Sequence, residues 1–210
     1  MDQMQYLMAS PATLTLLVAN IIVSIAGFRN EKLVEATLFD ITMIRRRGQI
    51  YRMATSGFIH GDPTHLFMNM LALFFLGPSL EVTVGTSSFV GIYVAALLGG
   101  SLWTYMEHFR EGSYRALGAS GAVSGVTLAA AVFFPLSTIY VFYALPMPFI
   151  LFAVLYTGWS AWAAATRVRD GIGHAAHLGG GLTGVALVCI FYPQNVQQSW
   201  NQVVQAVLPP

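Results

Sequence analysis

The stretch Arg115–Gly125, R-A-L-G-A-S-G-A-V-S-G, opens a segment without a charged side chain that runs from position 116 to position 166. These fifty-one residues are too many for one membrane-spanning helix, which needs about 20 apolar residues, and they suit two helices. Ser120 and Ser124 lie four residues apart near its beginning. Small residues at this spacing are common where membrane helices pack closely, but a serine can also be a nucleophile. The stretch therefore predicts a membrane helix and raises the question of which serine is reactive.

The composition of the whole chain places it in a bilayer. Of its 210 residues, 56% are hydrophobic and 9% are charged, whereas a soluble domain carries about 25% charged residues. The net charge of +1 and the lack of a basic patch with interleaved aromatic residues argue against a nucleic-acid partner. The single cysteine, Cys189, excludes a disulfide framework and a cysteine-built metal site, and we expect it to be a core thiol.

Hydropathy and proline positions predict an all-α membrane protein, a single domain of six transmembrane helices with no internal repeat. The predicted spans cover residues 11–28, 63–81, 88–106, 117–134, 136–165 and 171–192. Ser10 is the expected N-cap of the first helix, with Pro11 at its first position. The long connection 29–62 is amphipathic and is expected to be functional or partly folded. The tail from Pro193 is expected to form an interfacial helix.

Polar and ionisable side chains inside the spans are costly, so they are candidates for function. No Asp or Glu lies in the middle of a span, which argues against a pair of catalytic aspartates. The remaining candidates are the two serines, His177 in the sixth span, and His65 and Asn69 in the second. His65 and Asn69 share a helix face because they are one turn apart. They either face a common polar partner or make an interhelical hydrogen bond that only holds the bundle together.

The chemistry of a serine nucleophile needs more than the hydroxyl group. A base must remove its proton, and histidine is the usual base. Attack on an amide also needs donors for the developing oxyanion, which unpaired N–H groups in the first turn of a helix, an Asn side chain and a His N–H can supply. Glycines on two spans would allow the backbones to approach closely enough for Ser to reach His, namely Gly118, Gly121, Gly125, Gly173, Gly180, Gly181 and Gly184.

Five motifs occur in chain order, namely Y-R at 51–52, H-L-F-M-N at 65–69, L-E-x-x-x-G at 80–85, G-A-S-G-A at 118–122 and A-H-L-G-G at 176–180. Together they make the chain, from about residue 50 to residue 190, resemble the rhomboid family of intramembrane serine proteases. The resemblance implies a six-helix bundle in the lipid bilayer that hydrolyses a peptide bond in or beside a transmembrane segment of a protein substrate. It implies no cofactor and no metal.

Carried over position by position, the resemblance makes Ser120 the nucleophile and His177 its base, a dyad without a carboxylate. Asn69, His65 and the backbone N–H of Ser120 would form the oxyanion hole. The fifth span and the loop at 167–173 flank the histidine and hold flexible glycines, so they are the natural gate and cap. Because extended backbone is needed at the scissile bond, we expect substrate helices to carry Gly, Pro or other helix-weakening residues there.

Three supporting residues lie next to the predicted nucleophile. Gly118 would shape the loop entering the oxyanion hole, and Gly121 follows the serine. Ser124 occupies a position that is often aromatic in the family and packs on the catalytic imidazole, so it either hydrogen-bonds the imidazole or leaves it looser. Ser124 is about 6 Å deeper than Ser120 by helical rise, and we expect its hydroxyl to bond to the carbonyl of residue 120. Ser120, in the first turn, is therefore the predicted nucleophile.

Two other classes of function stay open at this point. A non-catalytic rhomboid-like protein would use the same fold to bind transmembrane helices, or would serve as a structural subunit of a membrane complex. A channel or transporter is disfavoured, because no span carries a buried charge that could couple to an ion. The oligomeric state is also open.

The basic residues conflict with the topology that the resemblance implies. All ten fall at one predicted end of the bundle, namely Arg29, Lys32, Arg45, Arg46, Arg47, Arg52, Arg110, Arg115, Arg167 and Arg169. The positive-inside rule makes that end cytoplasmic, whereas the resemblance places it outside the cytoplasm. We follow the resemblance, because the rule counts basic residues in short loops and the first loop is long.

H-A-A-H-L-G-G at 174–180 is similar to the mitochondrial presenilin-associated branch. Because the N-terminus lacks an Arg-rich targeting segment, we expect a multi-pass protein of the plasma (bacterial inner) membrane rather than the mitochondrial inner membrane.

Overall fold

The structure is a computed structural model, which describes residues 3–141, 144–168 and 170–208. Most of these residues are helical, in the order α1 (Gln3–Met8), α2 (Pro11–Phe28), α3 (Glu31–Thr37), α4 (Ile41–Arg47), α5 (Arg52–Thr55), α6 (Pro63–Val84), α7 (Thr86–Glu107), α8 (Ser120–Phe133), α9 (Phe149–Ala165), α10 (His174–Phe191) and α11 (Pro193–Val207). Strands within the described residues form two short antiparallel pairs, β1 (Phe39–Asp40) with β2 (Arg115–Ala116) and β3 (Thr138–Val141) with β4 (Leu145–Pro148). The predicted all-α class is confirmed.

Six of these helices, α2 and α6 to α10, correspond to the six predicted spans. Among the described residues, α2, α6, α7 and α10 are long and apolar enough to cross a membrane, while α8 and α9 are apolar but shorter. Helix α8 is central, since eleven of its fourteen residues are buried. At 1.5 Å per residue it is about 21 Å long, less than the hydrocarbon thickness of about 30 Å. At least one end of α8 therefore lies within the thickness of the membrane.

The fifth span begins later than the sequence predicts. The prediction was a helix over 136–165, whereas α9 begins at Phe149 and the hairpin of β3 and β4 precedes it. Pro146 and Pro148 explain the difference, because proline has no backbone N–H to donate and disrupts a helix interior. The helix consequently begins directly after Pro148.

The bounds of the other spans differ by a few residues. Helices α8 and α10 begin at Ser120 and His174, each three residues later than predicted, after Gly118 and Gly171 with φ values of +117° and +83°. Helix α6 continues beyond the predicted end at residue 81. Helices α3 to α5 make the long first connection partly folded, as predicted, and the tail forms α11. Cys189 is exposed on α10, so its predicted place in the core is wrong.

A buried carboxylate on α6 caps the beginning of α2. Ser10 is at the predicted N-cap position, but its hydroxyl donates to the carbonyl of Tyr6 at 2.7 Å and does not cap the helix. Glu81 instead accepts hydrogen bonds from the backbone N–H groups of Ala12 and Thr13 at 3.0 and 2.7 Å. A negative charge at a helix N-terminus is stabilising. The cap thus comes from a distant residue.

The first connection holds the segment that leads into α8. Strand β1 pairs with β2, and the backbone N–H of Gly118 donates to the carbonyl of Ser56 at 2.8 Å. The Arg52 guanidinium is buried and stabilises the connection itself, donating to the carbonyls of Glu35 and Leu38 at 2.8 Å each. Arg169, one of the ten basic residues, lies outside the described residues. The first loop therefore sets the position of the residues immediately before Ser120.

Candidate active site

All seven residues predicted at the site line one open cavity of about 2330 Å³. They are His65 and Asn69 on α6, Gly118 before α8, Ser120, Gly121 and Ser124 on α8, and His177 on α10. The helices that carry them are far apart in the sequence. The bundle thus places all seven predicted site residues on the wall of the same cavity.

Glycine contacts set the separation between α8 and α10. A Cβ atom built at Gly180 would overlap the carbonyl oxygen of Gly121 and lie 2.7 Å from its carbonyl carbon. A Cβ at Gly121 would lie 3.2 Å from the carbonyl oxygen of Ala176. Since Gly121 and Ala176 are the sequence neighbours of Ser120 and His177, this contact places the serine and the histidine on facing turns of two closely packed helices.

The beginning of α8 is packed against the His65 ring. Ser120 is the first residue of α8, where backbone N–H groups have no intrahelical partner. At Gly118, φ is +117°, and a Cβ would lie 2.5 Å from Cε1 and 2.6 Å from Nε2 of His65. Only glycine fits this backbone and this space. The imidazole of His65 therefore lies against the backbone two residues before Ser120, and both residues line the cavity.

The amide of Asn69 is held in place by its own helix. Asn69 is buried, and its Nδ2 donates to the carbonyl of His65 at 3.0 Å. A primary amide has two N–H donors. The hydrogen bond to His65 therefore leaves one donor for a group bound in the cavity.

Ser124 makes hydrogen bonds on both sides of α8. Its hydroxyl donates to the carbonyl of Ser120 at 2.7 Å, as predicted, and lies 2.5 Å from the Tyr156 hydroxyl on α9. The ring of Tyr156 stacks on the imidazole of His177, with centroids 5.9 Å apart and planes 23° apart. Among the described residues, Ser124 has no hydrogen bond to His177. An aromatic side chain on α9 thus contacts the imidazole. No sequence signal predicts this contact, because nothing in the apolar run around Tyr156 distinguishes that residue.

His60, which belongs to none of the predicted site motifs, supports the loop before Ser120. It is 1% exposed, and its Nε2 accepts a hydrogen bond from the backbone N–H of Ala119 at 3.3 Å. Because a backbone N–H can only donate, Nδ1 carries the imidazole proton and donates to the Ser24 hydroxyl at 2.8 Å. The ring also contacts His65 edge to face, at 5.0 Å between centroids. His60 lies in a loop, where no helical or strand periodicity in the sequence could indicate this role.

We expect the stability of the protein to decrease on acidification because of His60. Burial, and secondarily the neighbouring His65, lower the pKa of His60 from 6.5 to about 4. Between these values the unfolded chain binds the proton that the folded chain excludes, so the stability is complete above pH 6.5 and is lost as the pH falls towards 4. The thermal unfolding midpoint in detergent, measured by circular dichroism from pH 8 to 4, should decrease between pH 6.5 and pH 4. His60→Gln should be less stable at pH 8 and show a weaker pH dependence; an identical dependence in both proteins would contradict this role.

An acid–histidine pair lies in the predicted cap loop, beside the site. His174 is buried, its Nε2 lies 3.1 Å from Oδ2 of Asp170, and its ring contacts His177 edge to face at 6.2 Å between centroids. The pKa of Asp170 is lowered because the backbone N–H of Ile172 donates to its carboxylate, and further because of His174. The pair connects the loop residue Asp170 to the first turn of α10. Nothing in the sequence pattern indicates this contact.

Comparison with known proteins defines the class to which this bundle and cavity belong. A family model described as the rhomboid domain matches residues 47–194. This range covers most of the chain and includes all seven site residues. The chain belongs to the rhomboid family.

Several curated relatives support the assignment. The chain is 38% identical over 136 residues to Rhomboid protein 1, mitochondrial, of Saccharomyces cerevisiae (62% of this chain, 38% of the relative). It is 29% identical over 170 residues to Rhomboid protease AarA of Providencia stuartii (73% and 59%), and 29% identical over 150 residues to RHOMBOID-like protein 12, mitochondrial, of Arabidopsis thaliana (64% and 44%). The chain thus spans 38% to 59% of the length of these relatives. Two of them are mitochondrial by name, which does not favour the predicted bacterial inner membrane.

Proposed function

We propose that the chain is an intramembrane serine endopeptidase that cleaves transmembrane or membrane-adjacent segments of membrane proteins with a Ser120–His177 dyad. The observation that carries this proposal is the convergence of Ser120, His177, Asn69 and His65, from three helices, on one cavity. Membership of the rhomboid family supports the same class, as does a relative that is named a protease.

The proposed reaction is an acyl transfer in two halves. His177 takes the hydroxyl proton of Ser120 while Oγ forms a bond to the scissile carbonyl carbon. The carbonyl electron pair moves to oxygen, and this oxyanion accepts hydrogen bonds from the N–H of Ser120, the free amide N–H of Asn69 and the ring of His65. The C–N bond then breaks, and His177 gives its proton to the leaving amine. In the second half, water attacks the acyl-enzyme by the same steps, with His177 again as the base. This releases the new carboxyl terminus and restores the serine.

The substrate class follows from the position of the dyad. The scissile carbonyl must reach Ser120 in extended form, but a transmembrane helix keeps its carbonyl groups in internal hydrogen bonds. Segments that contain Gly or Pro open at a lower cost. Helix α9 and residues 167, 168 and 170–173 of the loop after it border the cavity and are the proposed gate and cap. Transmembrane segments weakened by Gly or Pro are therefore the proposed substrates.

One observation favours the alternative, a non-catalytic rhomboid-like protein that binds transmembrane helices. Within the described part of the chain, Ser120 and His177 share no hydrogen bond, although they lie on facing turns. Catalytic hydrogen bonds are often long in unliganded enzymes and shorten when the substrate binds. Cleavage of a substrate, or covalent labelling of Ser120, therefore separates the two functions.

Cleavage in proteoliposomes tests the proposal against this alternative. The purified chain is reconstituted with a tagged single-span protein whose transmembrane segment contains Gly and Pro, and the products are analysed by mass spectrometry. We expect a new amino terminus within or beside the span. A matched substrate with Leu at the Gly and Pro positions should be cleaved more slowly. Binding of both substrates without cleavage of either would support the non-catalytic alternative.

Loss of one oxyanion donor gives a graded prediction. Asn69→Ala should lower kcat by at least about tenfold and by up to about 1,000-fold, because the amide acts on charge that develops in the transition state. KM should change little, since the ground-state carbonyl carries less charge. Phe67→Ala is the matched control on the same helix, because Phe67 is exposed and outside the cavity. An unchanged kcat in Asn69→Ala would remove this residue from the site.

A further inference from the structure

Tyr156 is tied to the backbone of the proposed nucleophile through Ser124. The Ser124 hydroxyl has one proton, and it donates this proton to the carbonyl of Ser120 at 2.7 Å. In the contact of 2.5 Å between Ser124 and Tyr156, the phenol is therefore the donor and the serine oxygen is the acceptor. The hydroxyl of Tyr156 thus has a defined direction.

The ring of Tyr156 contacts two other rings. It stacks on His177, at 5.9 Å between centroids and 23° between planes. It also stacks on Phe152, one turn earlier on α9, at 5.6 Å and 17°. Stacked pairs at such separations are stabilising beyond the area that they bury. Two ring contacts and one hydrogen bond therefore determine the position of Tyr156.

We propose that Tyr156 is a positioning residue for His177 and that Ser124 is the residue that fixes Tyr156. This inference rests on the proposed function, since it assigns to Tyr156 the task of orienting the base of the dyad. Tyr156 contacts the imidazole through its ring and the nucleophile's backbone through Ser124. One side chain on α9 thereby sets the relation between α8 and α10 at the level of the reacting atoms.

The contact makes α9 part of the catalytic geometry, although this helix carries no member of the dyad. Its outward side is widely exposed, with Val154 at 61% and Leu155 at 55%, and its buried residues are Phe149, Ala153, Ser160 and Ala163. A displacement of α9 away from α10 withdraws the phenol ring from the imidazole. The orientation of His177 therefore depends on the position of α9.

Four variants separate positioning from simple packing. Tyr156→Phe keeps the ring and removes the hydrogen bond, and Ser124→Ala removes the same hydrogen bond from the other side. Tyr156→Leu removes both the ring and the hydrogen bond. Val154→Ala is the matched control on α9, because its side chain is exposed and lies outside the cavity.

The experiment measures kcat, KM and the pH profile of cleavage in proteoliposomes, with unfolding midpoints as a check of folding. We expect kcat to fall about 2- to 10-fold in Tyr156→Phe and about 10- to 100-fold in Tyr156→Leu, with KM within twofold of the wild type. The acid limb of the profile should move in Tyr156→Leu, because the surroundings of the imidazole change. Both substitutions remove the hydrogen bond between Ser124 and Tyr156, and Ser124→Ala also removes the one to the carbonyl of Ser120. The double variant should therefore be no slower than the slower single variant.

Three results would overturn the inference while leaving the proposed function intact. They are a wild-type kcat in a folded Tyr156→Leu, an effect on KM alone, and full additivity of Ser124→Ala and Tyr156→Phe. If Tyr156→Leu does not fold, Tyr156→Phe and its cycle with Ser124→Ala decide the question. A folded wild-type protein that cleaves no substrate would instead overturn the proposed function and this inference with it.

Discussion

Ser120→Ala is expected to lower cleavage by about 10⁴-fold or more, to the background rate, without a change in the unfolding midpoint. The substitution removes the proposed nucleophile and nothing larger. Ser120 has no side-chain hydrogen bond within the described residues, so the fold loses little. Cleavage of the tagged single-span substrate and a thermal unfolding curve in the same detergent check both parts of this prediction.

Ser124→Ala is the matched control for the choice of serine, because it makes the same chemical change one turn deeper on α8. Ser124 is 3% exposed and its proton is committed to the carbonyl of Ser120. This variant should keep part of the activity, reduced through Tyr156. An inactive Ser124→Ala beside an active Ser120→Ala would show that the wrong serine was chosen.

Gly180→Ala is expected to have the second large effect, on both stability and activity. A Cβ at this position overlaps the carbonyl oxygen of Gly121, and a backbone group cannot rotate away as a side chain can. Overpacking typically costs about 1–3 kcal/mol, and more where the surroundings cannot yield. Relief by separation of α8 from α10 moves Ser120 away from His177, and a displacement of about 1 Å costs about 100-fold in rate. Unfolding midpoints and kcat measure the two effects.

Gly91→Ala on α7 is the matched control for this prediction. A Cβ at Gly91 meets no atom within 4 Å, so this variant should retain the stability and kcat of the wild type. A Gly180→Ala protein as stable and as active as Gly91→Ala would show that the contact between α8 and α10 is looser than described. The comparison separates the clash from the general effect of alanine in a membrane helix.

The membrane fold was predictable because each spanning helix corresponds to a long, continuous run of residues in the sequence. Runs of about 20 apolar residues, with charges and prolines between them, located the six bundle helices within a few residues, except at the fifth. There, apolar composition concealed a hairpin, because Thr138–Val141 and Leu145–Pro148 are as uncharged as the helices beside them. Hydropathy does not distinguish a strand from a helix in so short a run.

The candidate site was predictable where a residue belongs to a motif and not where it acts by contact alone. Ser120 and His177 lie in short patterns of glycine and polar residues that are visible in the sequence. Tyr156, His60 and Glu81 take their places from pairings with residues that lie 32 to 69 positions away. Such pairings follow from helix packing, which no local pattern specifies.

Labelling with a fluorophosphonate probe tests the central claim, that Ser120 is a nucleophile activated by His177. In this reaction the serine oxygen attacks phosphorus, fluoride leaves, and the base takes the hydroxyl proton. We expect the folded wild-type protein to gain one probe group, which peptide mapping by mass spectrometry should place on Ser120. His177→Ala should be labelled far more slowly. The absence of labelling in the folded protein, or a label on Ser124, would contradict it.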